Sequence, residues 1–251
     1  MANKPTMPLA MRLLLGLIVL LIVYVAYQLI RTQHYITVGT ELAHKAVAYS
    51  QHPKNPTFRI LMVGDSTGVG TGASSPETSL AGLVGKKYPH ADLINASVNG
   101  AKTRDVIKQL ELTPGNFDLV MIESGGNDSV RFTDLHQTAN DLQVLLTVAA
   151  GKGKHVLVTS TGNIGTAPLF PAPTRWLIQR QTLAVRAVYL KIVAAQTNDV
   201  RYTDLYTPPK DDPFAKDPPA YYAADFFHPS SLGYALWFKY MSVELDHFGL
   251  S

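Results

Sequence analysis

Apolar and polar positions divide this chain into two regimes. Residues 13–30 are apolar except for Gln28, with Arg12 just before them and Arg31 just after. That is close to the roughly 20 residues a helix needs to cross a bilayer, and Tyr24 and Tyr27 sit towards one end, as interface aromatics do. Past Pro56 the pattern changes to short apolar runs separated by longer stretches with helical spacing. Residues 58–63, 92–96, 119–123, 155–160 and 200–204 are mostly β-branched or aliphatic and predict strands of a buried parallel sheet. Residues 78–87, 103–110, 133–150, 174–195 and 231–247 carry the helical pattern between and after them. Strand and helix in turn predict a doubly wound, three-layer α/β domain.

The segment 13–31 is expected to be an uncleaved transmembrane anchor behind a short tail, 1–12. A cleaved signal peptide is the main rival, but its apolar core is usually about 7 to 15 residues and ends in an Ala-x-Ala-like site. No such site follows Tyr27. A buried core helix is the other reading, and nothing else in the chain looks able to cover such a stripe. The amino terminus, Lys4 and Arg12 outweigh Arg31, which predicts a cytoplasmic tail and an extracytoplasmic domain at the cell (inner) membrane, periplasmic in a Gram-negative cell. Residues 32–56 are mixed and polar and read as a linker ending in Gln51-His52-Pro53-Lys54-Asn55-Pro56. His34, His44 and His52 within it lack the spacing of a helical ligand pair, so no metal site is expected.

Composition narrows the possibilities without choosing among them. With 251 residues, 46% hydrophobic and 16% charged, the chain can bury one sizeable core, assigned to residues 57–251. Of the basic residues, Lys4, Arg12 and Arg31 lie in the amino-terminal segment, and the other 19 balance 19 acidic ones. The soluble part is formally neutral and lacks the basic face that nucleic acid calls for. The absence of cysteine excludes disulfides, thiolate metal sites and a cysteine nucleophile.

Candidate chemistry begins where the first strand stops. Val63-Gly64-Asp65-Ser66-Thr67-Gly68 ends a buried run in a small-residue turn, which can hold the Ser66 hydroxyl at the sheet's carboxyl edge. A serine is a poor nucleophile unless a base, an orienting acid and oxyanion donors accompany it. Asp225-Phe226-Phe227-His228 offers the first two: an acid three residues before a histidine can reach its Nδ1 and leave Nε2 for a serine. In isolation Asp-x-x-His is ordinarily a surface acid and a capping histidine, but Tyr221, Tyr222, Phe226 and Phe227 around it suggest a packed setting. Asn127, in Gly125-Gly126-Asn127-Asp128 after the third strand, carries an NH2 able to donate to an oxyanion. Gly100, in the Asn-rich turn after the second strand, offers a backbone N–H. Taken singly, both glycine-containing stretches are equally well read as turns.

The order Gly64-Asp65-Ser66, Gly100, Gly125-Gly126-Asn127-Asp128 and Asp225-x-x-His228 resembles the SGNH hydrolases, also called GDSL esterases and lipases. The resemblance covers about three quarters of the chain and departs from the family name only at Thr67, where that name has Leu. It implies a flavodoxin-like α/β/α sandwich, which would follow the one amino-terminal transmembrane helix read from residues 13–31. It further implies Ser66 as nucleophile, His228 as general base and Asp225 orienting it. Ser66 N–H, Gly100 N–H and the Asn127 side chain would form the oxyanion hole, with no cofactor. The expected activity is that of a membrane-anchored carboxylic ester hydrolase; lysophospholipids, acetylated glycans and thioesters are all within the family's range. A non-catalytic ligand-binding module of the same fold is the alternative. Gly64-Asp65-Ser66-Thr67-Gly68 also fits the G-x-S-x-G elbow of α/β-hydrolases, whose acid and histidine normally lie far apart. Gly68-Val69-Gly70-Thr71-Gly72-Ala73 satisfies a dinucleotide fingerprint, yet it starts past the strand end, and Asn95 stands where a ribose-binding acid is wanted. Residues 162–173 and 208–222 are the loops expected to choose the substrate, with Phe170, Trp176, Phe214, Tyr221 and Tyr222 lining an acyl site or simply filling core.

Overall fold

The computed structural model describes residues 7–197 and 199–250; of the expected tail, residues 1–6 lie outside the described residues. The strands are β1 (Phe58–Gly64), β2 (Ala91–Asn95), β3 (Phe117–Glu123), β4 (Gly153–Thr159) and β5 (Val200–Thr203). The helices are α1 (Leu9–Lys45), α2 (Ser66–Val69), α3 (Leu80–Lys87), α4 (Thr103–Leu112), α5 (Gly126–Val130), α6 (Leu135–Lys152), α7 (Ala172–Ala194), α8 (Pro213–Lys216), α9 (Pro218–Tyr221) and α10 (Ser231–Asp246). The strands pair in parallel in the order β2-β1-β3-β4-β5. This is the flavodoxin-like doubly wound order, whose strand sequence reverses between β1 and β3 and opens a crevice at their carboxyl ends.

Period-two alternation along the strands produces the three layers. Ile60, Met62, Leu119, Met121 and Leu157 point to one face, where Leu80, Val84, Tyr234, Trp237 and Met241 of α3 and α10 cover them. Leu61, Val63, Val120, Ile122 and Val158 point to the other, under Val106, Leu142, Leu146, Val185 and Tyr189 of α4, α6 and α7. Helix starts follow side-chain caps: Ser79 accepts from Gly82 N–H at α3, Asp134 from His136 and Gln137 N–H at α6, and Ser230 from Gly233 N–H at α10. These caps explain why α3 starts two residues later than the apolar pattern predicts. A separate 3-10 turn, Pro76–Thr78, precedes Ser79.

The segment expected as a linker differs most from the reading above. Helix α1 runs on through residue 45, and only from Ala46 is the chain extended. Within it, residues 28, 31, 32, 35, 38, 39, 42 and 43 are partly buried while their neighbours are exposed. This is one helical face. It is built of Gln28, Arg31, Thr32, Tyr35, Val38, Gly39, Leu42 and Ala43, too mixed in composition to stand out as apolar. Beyond it Gln51 makes an antiparallel bridge to Leu93, with N–H to carbonyl distances of 3.0 and 2.9 Å, and closes the β2 edge.

One core residue is out of place electrostatically. Glu123 ends β3 with 2% of its surface exposed, and its Oε1 has no hydrogen-bond partner among the described residues. Burial, and then repulsion from Asp65, raise its carboxyl well above the ordinary value. The folded state therefore holds this proton at pH values where the unfolded chain has released it, so stability falls as pH rises from the unfolded value of about 4.3 towards the folded one. Glu123→Gln is expected to raise Tm at pH 8, by about 2–4 °C for each kcal/mol recovered, and to leave pH 4 nearly unchanged. Calorimetric melts at the two pH values check this.

Candidate active site

Ser66 is held by what surrounds it on β1. At Gly64 an added Cβ would fall 2.3 Å from the Glu123 carbonyl, so β1 and β3 approach too closely for any side chain there. The Gln109 amide grips the same residue from α4, accepting from Gly64 N–H at 2.7 Å and donating to its carbonyl at 2.9 Å. Asp65 N–H then donates to Glu123 O at 2.9 Å. The Asp65 carboxylate caps α2, with Oδ1 accepting from Thr67 N–H at 2.9 Å and Thr67 Oγ1 at 2.8 Å. Ser66 is consequently the first residue of a short helix, where a backbone N–H has no intrahelical partner. Burial raises the Asp65 carboxyl above its usual range, against the lowering effect of the Thr67 bonds.

The Asp225–His228 turn meets this elbow from the other end of the sequence. Asp225 is 1% exposed, and its Oδ1 accepts the N–H groups of Phe227 at 3.1 Å and His228 at 3.0 Å. Its Oδ2 takes the His228 Nδ1 proton at 2.5 Å, and His228 Nε2 faces Ser66 Oγ at 3.0 Å. With Nδ1 donating to the carboxylate, Nε2 is left as the acceptor for the serine proton. Of the glycines after Ser66, Gly72 serves this approach: a Cβ there would lie 2.5 Å from Pro229 O and 3.0 Å from His228 Cβ. Gly68 instead packs against Ser97 in the segment after β2, where a Cβ would meet the Ser97 side chain. Close packing accounts for both, and no phosphate cradle is needed to explain them.

Asn127 enters from α5. Gly125, at φ 101°, turns the chain out of β3, and Asn127 Nδ2 reaches Asp65 Oδ2 at 3.5 Å, a bond that uses one of its two amide hydrogens. Asp128 anchors the same turn by accepting from Thr103 N–H at 2.9 Å and Thr103 Oγ1 at 2.8 Å. Ser66, Asn127 and His228 line one cavity with Thr161, Ile164, Leu205, Phe214, Tyr222 and Trp237, so the walls are largely apolar. Gly100 has φ 78° and lines a separate hollow with Ala96, Val98 and Gln109, so it is not among the residues that line the cavity of Ser66, Asn127 and His228.

Of the aromatic candidates, Phe214 and Tyr222 line the cavity, whereas Phe170 and Tyr221 pack against the core behind it. Trp176 is 57% exposed on α7. Tyr222 and the buried Asp212 are joined through Thr166, whose Oγ1 lies 2.9 Å from the Tyr222 hydroxyl and 3.2 Å from Asp212 Oδ2. Asp65, Gln109 and Thr166 support the site without having been singled out above. Only Asp65 had a signal, as a capping acid just before a small-residue turn.

The GDSL-like lipase/acylhydrolase family pattern matches residues 62–236, more than half of the chain. Among solved structures, a lipolytic G-D-S-L family protein from Veillonella parvula superposes with TM-score 0.56 at 20% identity, covering 74% of this chain and 96% of its own. An acetyl xylan esterase from Geobacillus stearothermophilus gives 0.52 at 19%, covering 76% and 95%. The psychrotrophic esterase EstA from Pseudoalteromonas gives 0.54 at 18%, covering 76% and 97%. These identities speak for the fold alone. No curated protein matches the chain at a significant level. The family pattern spans the Ser66 elbow and the Asp225–His228 turn alike, and on it the chain belongs to the GDSL-like lipase/acylhydrolase family of carboxylic ester hydrolases.

Proposed function

We propose that this protein is a membrane-anchored serine esterase that works through Ser66, His228 and Asp225. The observation carrying this reading is the unbroken chain from Asp225 Oδ2 through the imidazole to Ser66 Oγ, at 2.5 and 3.0 Å. In the first half-reaction His228 Nε2 takes the Ser66 proton as Oγ adds to the ester carbonyl. The tetrahedral oxyanion is met by the Asn127 NH2 and the Ser66 backbone N–H, which line the cavity, and the Gly100 N–H is the third donor on the family resemblance alone. Its collapse breaks the ester bond, and the alcohol leaves with the proton held by His228. Water, deprotonated by the same imidazole, then opens the acyl-enzyme and returns the proton to Ser66. Asp225 keeps accepting the Nδ1–H bond and so steadies the imidazolium. The apolar lining of Leu205, Phe214, Tyr222 and Trp237 suits the acyl portion of a carboxylic ester.

The anchor is α1, whose most apolar 18-residue stretch has a mean hydropathy of 2.7 and is unburied by the rest of the chain. Exposed apolar surface of that extent has a natural solvent in a bilayer.

Ser66→Ala is expected to abolish turnover of p-nitrophenyl acetate and longer acyl esters. Asn127→Ala is expected to lower kcat by about a hundred- to thousandfold with an unchanged fold. Hydrolysis by purified Ser66→Ala at the wild-type rate would refute the assignment, and the acyl-length series gives the substrate preference. A topology reporter fused after Ser251 is expected to read extracytoplasmic, and a cytoplasmic signal would reverse the orientation.

A further inference from the structure

The partly buried face of α1 lies against the turn that carries Asp225. Thr32 and Arg31 donate to the carbonyls of Leu169 and Pro168, Tyr35 sets its ring against Phe226 at 5.2 Å between centroids, and Ala43 O accepts from Asn99 Nδ2 at 3.1 Å. Between these contacts the helix presents Gly39. A Cβ built there would stand 2.9 Å from Asp225 Oδ2, 3.5 Å from its Cβ and 3.6 Å from its Cγ. That carboxylate has nowhere to retreat, since both oxygens are committed to His228 and to the turn's own N–H groups. Phe226, next to the acid, has φ 53°, a left-handed conformation that a bulky residue adopts only when its surroundings hold it. The Tyr35 ring is one of those surroundings.

We infer that the helix leaving the membrane anchor is a positioning element of the active site: Gly39 and Tyr35 set the Asp225 carboxylate and hence the His228 imidazole. The inference rests on the triad reading above. A glycine in mid-helix is less favourable than alanine, so Gly39→Ala in the full-length protein would stabilise the helix while crowding the carboxylate. Misplacement of a reacting group by about 1 Å costs up to a hundredfold in rate.

The expected result for Gly39→Ala is a kcat at least tenfold lower, KM within about twofold of wild type, and a Tm equal or higher. Tyr35→Ala is expected to lose several-fold in kcat and Tyr35→Phe to recover it, because the contact is made by the ring. Thr37→Ala, on the exposed face, is expected to match wild type. The rate at which a fluorophosphonate labels Ser66 is read in parallel, as it needs no knowledge of the substrate. If labelling depends on Ser66 but Gly39→Ala labels and turns over like wild type, or loses activity in step with a lowered Tm, the positioning role is wrong while the triad stands. Labelling that persists in Ser66→Ala overturns both.

A separate observation concerns α7. The Pro168 carbonyl accepts from Arg31, the residue that closes the apolar span, and also from Arg175 Nη2 at 3.3 Å, which ties the start of α7 to the end of that span. The next turn shows Trp176 at 57% and Leu177 at 48% exposure, with the Arg180 guanidinium 4.8 Å from the Trp176 ring centroid. An exposed tryptophan and leucine among arginines at the level where a span ends match the chemistry of the lipid headgroup region. We propose that Trp176 and Leu177 seat the domain on the bilayer surface.

In vesicles containing brominated phospholipid, wild-type tryptophan emission is expected to be quenched, and Trp176→Phe, which keeps only the buried Trp237, is expected to lose most of that quenching. Emission from protein floating with the vesicles that resists bromine but yields to aqueous acrylamide overturns the seating alone. Failure to float with vesicles overturns the anchor as well.

Discussion

The contact on which the rest of the site depends joins Ser66 Oγ to His228 Nε2 across 162 residues of sequence. Neither group can reach the other unless the first strand and the last turn share one end of the sheet. The doubly wound order accomplishes that by placing β1 at the switch point. The chain then spends glycine where a side chain would hold the two turns apart, at Gly64 against Glu123 and at Gly72 against Pro229. Tyr234, from the helix that follows the histidine, donates its hydroxyl to Thr71 O at 2.7 Å, so the last helix grips the first turn directly. Geometry that must hold to a fraction of an ångström is secured by backbone contacts, which have little freedom to drift.

Three carboxyl groups are buried around this contact, and the fold treats them differently. Asp225 has donors on both oxygens, as a carboxylate that must support an imidazolium requires. Asp65 has its cap and the distant Asn127 amide, and burial still favours its neutral form. Glu123 has an oxygen with no partner and lies beside Asp65. Burial raises both carboxyls above their ordinary values, the direction that limits negative charge near the place where an oxyanion would form. The region thus trades stability at higher pH for a field that does not oppose the reaction, the kind of local cost expected at functional sites.

Much of this was legible in the sequence because the relevant signals are local. A buried parallel strand reads as a continuous apolar run, so all five strands appear within a few residues of their positions. Ser66 and the Asp225–His228 pair stand beside small residues or aromatics whose spacing carries the chemistry. Gln109, Thr166 and Gly39 were not legible, because each acts on a residue distant in sequence and none sits in a composition that marks it. The face of α1 beyond residue 31 shows why. Its spacing is helical, yet Thr32, Tyr35, Gly39 and Ala43 mix with exposed polar residues, so composition suggests a linker where periodicity, weighed alone, indicates a helix.

That face changes how the two parts of the chain relate. A flexible linker would let the domain sample many distances from the bilayer, with a span growing as the square root of its length. A continuous helix rises about 1.5 Å per residue, and Gly39 lies nine residues beyond Ile30. Asp225 is therefore held at roughly 13 Å from the end of the apolar span along the helix axis. The same residues that fix this height also touch the acid and the turn around it. With α1 as the proposed anchor and Ser66 as the proposed nucleophile, this geometry would hold the reactive centre at the membrane surface, where an ester presented at the headgroup level would meet the serine without first entering bulk water. On this proposal the helix that would enter the bilayer and the wall packed against Asp225 are one element, so cutting the chain at residue 57 would remove both together.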